Sequence, residues 1–321
     1  MFRHMKNFAV AGSALLAAAA MAGPLAAQDK FPSRPIEMIV PFGPGGGADQ
    51  LARLSGKLLE PIIGQGVPIV NVPGGTGATG MAKLVAASAD GYSAAIYIAD
   101  THALLTSAEA QRWKVEDITP LAVMIQQPSF LLVAKDSPYK SWADFAKAAK
   151  DAPGKLKIAT VGFGSVDDFT IKHLESKGGV KVVQVPFSKP SERYVSILGG
   201  HADVLYEQAG DVAQFLKSGE MRPILMFGEK RMAEFPDVPA SAELGFKVSL
   251  PQFRAIVVRS GTPAGSIKTM SDALTKIAAT DEFKTFLKDS YADPASFLPA
   301  DKCADFLKQQ LEDMKKANAG S

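Results

Sequence analysis

The segment that most constrains the fold is a short apolar strand followed by a turn of glycines and a helix start, IEMIVPFGPGGGAD at residues 36–49. Glycine has no side chain, so the backbone of such a turn can approach a ligand closely. The first turn of the helix behind it offers free N–H groups and the positive end of a dipole. The segment therefore predicts an anion site at the end of a strand.

Strands and helices alternate along the rest of the chain. Apolar runs at 67–72 and 92–99 predict two more strands, and stripes of Leu and Met at helical spacing separate them. A second series with the same order begins near Phe130 and extends to residue 227. This alternation predicts an α/β fold in which each mostly parallel sheet is flanked by helices.

The chain length predicts about two domains at ~150 residues each. The last apolar strand, at 253–258, leads into a block of helices that we expect to pack back on the first unit. The predicted organisation is a signal peptide at 1–27, a discontinuous lobe 1 at 28–128 plus 256–321, and a lobe 2 at 129–255. Two crossover segments, near residues 127–132 and 251–256, would join the lobes.

The first 27 residues have the pattern of a secretory signal peptide. Arg3 and Lys6 precede an Ala- and Leu-rich run at 8–23, and small residues end at Ala27. The alternative is a membrane anchor, but this run of about 16 residues is shorter than the ~20 that span a bilayer. We therefore expect export to the periplasm, with cleavage near Ala27.

Charge and cysteine content exclude several classes of partner. Arg3 and Lys6 account for the whole formal charge of +2, so the mature chain is neutral and nucleic acid is not an expected partner. Cys303 is the only cysteine, so the chain forms no intramolecular disulfide. With four His and no Cys pair we expect no metal site, and we predict no cofactor.

In an open α/β sheet, ligands bind beyond the carboxyl ends of the strands. Four loops and one further strand end fall at such positions. The candidate ligand-binding residues there are Phe42, Gly43, Gly45, Gly46, Gly47, Asp49, Gly75, Thr76, Thr101, His102, Phe163, Gly164, Ser165, Asp168 and Glu207.

Some of these residues have structural alternatives. Asp49 and Ser165 stand where helix caps are expected, and capping is the commoner use of such residues. His102 could donate to an anion or be an ordinary core histidine. Glu207 could face the cleft or cap the following helix. Phe42 and Phe163 could form an apolar wall for the ligand or pack at the hinge.

Nucleotide binding and catalysis have weak support. Residues 43–48 loosely match the dinucleotide fingerprint, but Asn71 stands where an acid is required, and no Gly-Lys-Ser/Thr follows for a P-loop. The chain has no G-x-S-x-G elbow. Ser165, His102 and an Asp in the cleft leave a secreted hydrolase or isomerase as the alternative function.

At its loops the chain resembles the Bug receptors, the substrate-binding proteins of tripartite tricarboxylate transporters. The order and spacing of the motifs carry the resemblance over essentially the whole mature chain. These motifs are PSRPI at 32–36, PFGPGGGAD at 41–49, Arg53, PGGTG at 73–77, ADGY at 89–92, VPF at 185–187, LGGHAD at 198–203, RPI at 222–224, FPDVP at 235–239 and ELG at 243–245.

The resemblance implies a two-lobe periplasmic binding protein, type II-like, that is not an enzyme. It implies that a small carboxylate is held in the interlobe cleft, largely by backbone N–H groups and ordered waters at residues 42–49 and 162–168. It further implies delivery of this organic acid to integral-membrane transporter subunits. We expect the receptor to be a monomer.

One departure from the family pattern bears on the ligand. The second loop usually has small and hydroxyl residues followed by a His, whereas this chain has Ser165, Val166, Asp167 and Asp168. Two acids near an anion site would repel a second carboxylate unless they face away, or they could bind an amino or hydroxyl group. A tricarboxylate such as citrate, a monocarboxylate and a carboxylate with a donor group all remain open.

Overall fold

The computed structural model describes residues 30–107, 113–246, 248 and 250–319, and the predicted signal peptide lies outside them. The described residues form two sheets flanked by helices. We call the part with the six-stranded sheet lobe 1 and the part with the five-stranded sheet lobe 2. The predicted two-lobe α/β fold is confirmed. Every helix within these ranges is too short or too polar to cross a membrane.

Eleven strands build the two sheets of the described chain. In chain order they are β1 (Glu37–Val40), β2 (Ile69–Asn71), β3 (Ser93–Ile98), β4 (Ile118–Gln127), β5 (Ser129–Ala134), β6 (Lys157–Thr160), β7 (Val183–Pro186), β8 (Val204–Gln208), β9 (Met221–Phe227), β10 (Gln252–Arg259) and β11 (Leu298–Pro299). The strand order is β11-β4-β10-β3-β1-β2 in lobe 1 and β7-β6-β8-β5-β9 in lobe 2.

Ten α-helices cover these sheets within the described residues. They are α1 (Gly47–Ile63), α2 (Ala78–Ala86), α3 (Ala99–Ala103), α4 (Trp142–Asp151), α5 (Val166–Gly178), α6 (Pro190–Leu198), α7 (Ala213–Lys217), α8 (Ala264–Ala278), α9 (Asp281–Asp289) and α10 (Ala300–Ala319).

Each sheet is mixed, whereas the sequence predicted mostly parallel pairing. β1 pairs in parallel with β2 and β3, and β6 pairs in parallel with β7 and β8. β10 is antiparallel to β3 and β4, and β5 is antiparallel to β8 and β9. The chain changes lobe next to β4, β5 and β10. These strands are therefore not joined to their sheet neighbours by a crossover helix, which is the connection that makes the two strands of a βαβ unit parallel.

The predicted lobe boundaries at 128/129 and 255/256 stay predictions. β4 and β5, which flank the first boundary, pair in different sheets, and β10 pairs in lobe 1 from Gln252 onward. One apolar cluster includes Tyr97 of lobe 1, Phe145 of lobe 2 and Leu307 of α10. Apolar packing is thus continuous from one lobe to the other, and the carboxyl ends of β1, β3, β6 and β8 meet at one cavity.

Candidate functional site

The glycine turn of lobe 1 is held by the carboxylate of Asp49. This side chain accepts the N–H of Gly45 at 3.0 Å, the Nδ2 of Asn71 at 3.0 Å, and the guanidinium of Arg53 at 2.9 and 3.0 Å. Burial opposes ionisation of Asp49, but these hydrogen bonds outweigh it and lower its pKa. Gly45 has φ of 85°, a conformation that glycine adopts without strain. Asp49 therefore shapes the turn from inside lobe 1.

Lobe 2 repeats this arrangement at Gly162–Asp168. Gly164 has φ of 75°, and its N–H donates to Asp168 at 2.9 Å. Lys172 and Gln184 also donate to Asp168, each at 2.9 Å. The predicted ligand residue Asp168 thus has the same internal role as Asp49.

The two turns correspond position by position. Gly46 begins α1 with φ −86° and ψ 172°, and Ser165 begins α5 with φ −85° and ψ 173°. Under this correspondence Ala48 matches Asp167, and both residues line the cavity between the lobes. Lobe 2 therefore places a carboxylate where lobe 1 has a methyl group.

The two helix starts differ in capping. Ser165 Oγ accepts the N–H of Asp168 at 3.2 Å, and Asp100 from lobe 1 accepts the N–H of Val166 at 3.1 Å. At α1 the cap residue is Gly46, which has no side-chain acceptor. In the part of the chain that the structure describes, the N–H groups of Gly47 and Ala48 donate to no acceptor. α1 therefore presents free amides and its positive dipole end at the cavity.

The cavity is small, with about 30 Å³ available to the centres of water molecules. A larger cavity of about 370 Å³ lies between the start of β4 and α10, where Leu307 and Lys308 contribute to its wall. The residues that line the larger cavity include none from either glycine turn. We place the site at the smaller cavity because free amides and buried ionisable groups converge there.

Two buried arginines line this cavity, and sequence reasoning missed both. Arg193 of α6 forms an ion pair with Glu207 at the end of β8. Arg254 of β10 donates to Asp211 at 2.5 Å and to Gln208 at 3.2 Å. The Arg254–Asp211 pair joins lobe 1 to lobe 2. A side chain on Gly47 would overlap both of its members, so this pair lies directly against the start of α1.

Asp100 and Asp167 bring two further carboxyls to the cavity from opposite lobes. Asp100 accepts the Nε2 of Gln252 at 2.9 Å as well as the N–H of Val166, and Asp167 accepts the N–H of Val161 at 2.9 Å. Burial raises the pKa of Asp100, although Arg193 opposes the shift. Burial and the neighbouring Asp100 raise the pKa of Asp167 well above its ordinary value.

Tyr194 places an unused hydrogen-bonding group at the cavity. Its side chain is 4% exposed, and its hydroxyl has no hydrogen-bond partner among the described residues. This hydroxyl lies 3.7 Å from the point where a Cβ on Gly46 would sit. A buried hydroxyl without a partner is unfavourable, and functional sites are one place where such groups are retained.

Four of the predicted ligand residues line the cavity, namely Phe42, Gly46, Gly47 and Glu207. The remaining predicted residues lie around it or away from it. These are Gly43, Gly45, Asp49, Gly75, Thr76, Thr101, His102, Phe163, Gly164, Ser165 and Asp168.

His102 lies in the core of lobe 1. Its Nδ1 bonds the hydroxyl of Tyr97 at 2.8 Å, and its Nε2 bonds the carbonyl of Leu307 at 2.8 Å. Burial lowers the pKa of His102 to about 4. Ser165 Oγ donates to the carbonyl of Gly162 at 2.6 Å, so neither group is placed to act with the other. Phe163 is 63% exposed and does not line the cavity.

The glycines bring the two lobes into close contact. A Cβ at Gly46 would lie 2.6 Å from Pro190 Cγ on the other lobe. A Cβ at Gly162 would lie 3.0 Å from Thr76 Oγ1, across the same junction. The sequence pattern predicts that these glycines let the backbone approach a ligand closely. They also leave room for the opposite lobe.

Comparison with known proteins supports this reading of the fold. The model of the tripartite tricarboxylate transporter family receptor, TctC, matches residues 51–317. Protein BugT of Bordetella pertussis is 29% identical over 280 residues, which is 84% of each chain.

Solved structures have the same fold. The periplasmic binding protein BugD has a TM-score of 0.83 at 23% identity, covering 89% of this chain and 97% of its own. MatC from Rhodopseudomonas palustris with bound malate has a TM-score of 0.81 at 23% identity, covering 89% and 99%. Rpa4515 of R. palustris with adipate has a TM-score of 0.83 at 23% identity, covering 89% and 97%.

This family consists of solute-binding receptors and not of enzymes, so the alternative of a hydrolase or isomerase is set aside. The family model covers most of the chain, and the sequence resemblance is thereby confirmed. The chain belongs to the tripartite tricarboxylate transporter family of receptors.

Proposed function

We propose that this receptor binds a small organic acid in the interlobe cavity of the periplasm and delivers it to the membrane subunits of a tripartite transporter. The observation that carries the proposal is the uncapped start of α1 beside the unpartnered hydroxyl of Tyr194. Free amides at a helix start and a buried hydroxyl donor are complementary to a carboxylate. The structures of MatC with malate and Rpa4515 with adipate hold carboxylates in the same fold.

In this proposal the ligand carboxylate accepts hydrogen bonds from the N–H groups of Gly47 and Ala48 and from the hydroxyl of Tyr194. Phe42 forms the apolar wall beside it. The two lobes close around the ligand, and Gly46 lets α1 approach Pro190. Closure removes the ligand from water and presents one rigid surface to the transporter.

Calorimetry against mono-, di- and tricarboxylates tests the proposal, with Tyr194→Phe as the site variant. Removal of the hydroxyl should weaken binding of the best carboxylate by about tenfold, because a hydrogen bond to a charged group is lost. Without ligand, Tyr194→Phe should be as stable as the parent or more stable, because the hydroxyl it loses has no partner.

Tyr206→Phe is the matched control. The Tyr206 hydroxyl donates to Thr170 Oγ1 at 3.2 Å inside lobe 2. Its loss should lower the free energy of unfolding by about 1 kcal/mol and leave the affinity unchanged. Failure of every carboxylate to bind, or an unchanged affinity in Tyr194→Phe, would contradict the proposed site.

A further inference from the structure

The cavity contains more acidic than basic side chains. Four carboxyls and two guanidiniums line it, from Asp100, Asp167, Glu207, Asp211, Arg193 and Arg254. Counted as formal charges, the lining has an excess of two negative charges, and burial opposes this excess by raising the pKa of Asp100, Asp167 and Glu207. A site built for a ligand with several carboxylates would be expected to have the opposite balance, because like charges in a desolvated site repel strongly.

The arginines are already neutralised. Arg193 is paired with Glu207, and Arg254 is paired with Asp211, with side chains 6% exposed or less in both pairs. Each guanidinium thus already has a carboxylate partner, and the Nε of Arg193 is the one buried guanidinium N–H of these two arginines that has no acceptor among the described residues. The amides of α1 and the hydroxyl of Tyr194 are sufficient for one carboxylate.

Asp100 and Asp167 are the carboxyls without a basic partner in the described ion pairs. They come from the two lobes and are 3% and 2% exposed, respectively. Their hydrogen-bond partners carry no positive charge: two backbone N–H groups, the amide of Gln252 and, between the two acids themselves, a side-chain hydrogen bond. A carboxylate has about four acceptor positions, so both groups retain capacity for a further donor.

We propose that the ligand carries a protonated amino group as well as a carboxylate, and that Asp100 and Asp167 bind this amino group. The inference rests on the proposed function and narrows it to a zwitterionic ligand. The unpartnered Tyr194 hydroxyl, buried in the same lining beside Gly46 at the start of α1, marks the carboxylate end. The two acids mark the ammonium end, and closure of the lobes completes each end from residues of both lobes.

The ammonium supplies what the unliganded lining lacks. It has three N–H donors and a positive charge, and it would offset the repulsion between Asp100 and Asp167. A deaminated analogue would supply no ammonium to the two acids, which would keep only the electrostatic attraction of Arg193, and it would add its own negative charge. A dicarboxylate would add two negative charges. Both classes should therefore bind more weakly than an amino acid of similar size.

Titration calorimetry at pH 7 with matched pairs tests the inference. The pairs are alanine with propionate, 4-aminobutyrate with butyrate, and glutamate with glutarate. In at least one pair the amino member should bind at least about tenfold more tightly, because a buried carboxylate would otherwise stay unpaired. Deaminated members that bind as tightly as their partners, or more tightly, would overturn the inference and leave the proposed function standing.

Substitution of each acid tests whether Asp100 and Asp167 cause the preference for the amino member of a pair. Asp167→Asn and Asp100→Asn should each reduce the amino preference by about tenfold, and thermal unfolding would verify that both variants fold. Asp168→Asn is the control for a neighbouring acid, since Asp168 binds Gly164, Lys172 and Gln184 within lobe 2. It should leave the preference ratio unchanged. An unchanged ratio in both Asp100→Asn and Asp167→Asn, or no binding by any of the six probes, would also overturn the inference.

Discussion

Asp167 is the residue at which the two glycine turns differ most in chemistry. The matching position in lobe 1 is Ala48, and a methyl group is sufficient to complete that turn. Asp167 instead adds a buried carboxylate that faces Asp100 across the lobe junction. A charge buried without a basic partner lowers stability. We attribute its presence to the ligand rather than to the fold.

The pKa of Asp167 leads to a prediction about stability and pH. Burial, then Asp100, raises this pKa above the ordinary 3.8, so the folded chain holds the proton more tightly than the unfolded chain. The resulting loss of stability is absent below pH 3.8, grows as the pH rises from 3.8 to the folded pKa, and is constant above it. Asp167→Asn should thus raise the unfolding free energy at pH 7 by about 1 kcal/mol or more, since one pKa unit is about 1.4 kcal/mol.

Chemical denaturation of the ligand-free chain at pH 7 and pH 4 measures this difference. The gain from Asp167→Asn should shrink toward pH 4. Asp272→Asn is the control, because Asp272 is an exposed residue of α8 that pairs with Lys268. Asp272→Asn should change the free energy of unfolding little at pH 7 and at pH 4. A variant of Asp167 that is no more stable than the parent at pH 7 would contradict the argument.

At the residue scale, the glycine turn of the site could be predicted from the sequence, but the charged side chains that line the cavity could not. The glycine turn was recognisable because glycines next to a strand and a helix start are local signals. Arg193 and Arg254 are separated from that turn by more than a hundred residues. Only the fold brings the two arginines next to the glycine turn. Their signal was indirect, since an Arg within an otherwise apolar strand such as QFRAIVVR is unusual unless it is paired.

The elements were predictable where their pattern is local. The glycine turns, the helix starts behind them and the strands before them all lie where periodicity placed them. Strand direction was not predictable in the same way. Periodicity identifies β5 and β10 as strands but carries no information about their neighbours, and both pair antiparallel next to a change of lobe.

The start of α1 leads to a prediction at the scale of elements. Gly46 has φ of −86°, so alanine can adopt its backbone conformation without strain. A Cβ there would nevertheless lie 2.6 Å from Pro190 Cγ at the start of α6. Gly46→Ala should therefore hold the lobes apart and weaken binding of a carboxylate by about tenfold, because overpacking typically costs ~1–3 kcal/mol. Thermal unfolding should change little, since the clash is between lobes.

Gly265→Ala provides the control for this substitution. Gly265 lies in the first turn of α8, and a Cβ there would meet no atom within 4 Å. Affinity and unfolding temperature should both match the parent. Equal affinities for Gly46→Ala and the parent, measured by calorimetry, would show that close contact between α1 and α6 is not required for binding.

At the scale of the whole molecule, the site exists only where the lobes meet. α1 and Asp100 come from lobe 1, and Tyr194, Asp167 and Asp211 come from lobe 2. The Arg254–Asp211 pair and the Asp100–Val166 hydrogen bond join the two sides. Binding and closure are therefore expected to be coupled, since each end of the proposed ligand is bound by residues of both lobes.

A crystal structure of the mature receptor with the tightest carboxylate from the calorimetric panel tests the central claim most directly. The account predicts one ligand carboxylate within hydrogen-bonding distance of the N–H groups of Gly47 and Ala48 and the hydroxyl of Tyr194, between closed lobes. A ligand bound in the larger cavity beside α10, or a carboxylate that does not contact the start of α1, would contradict it.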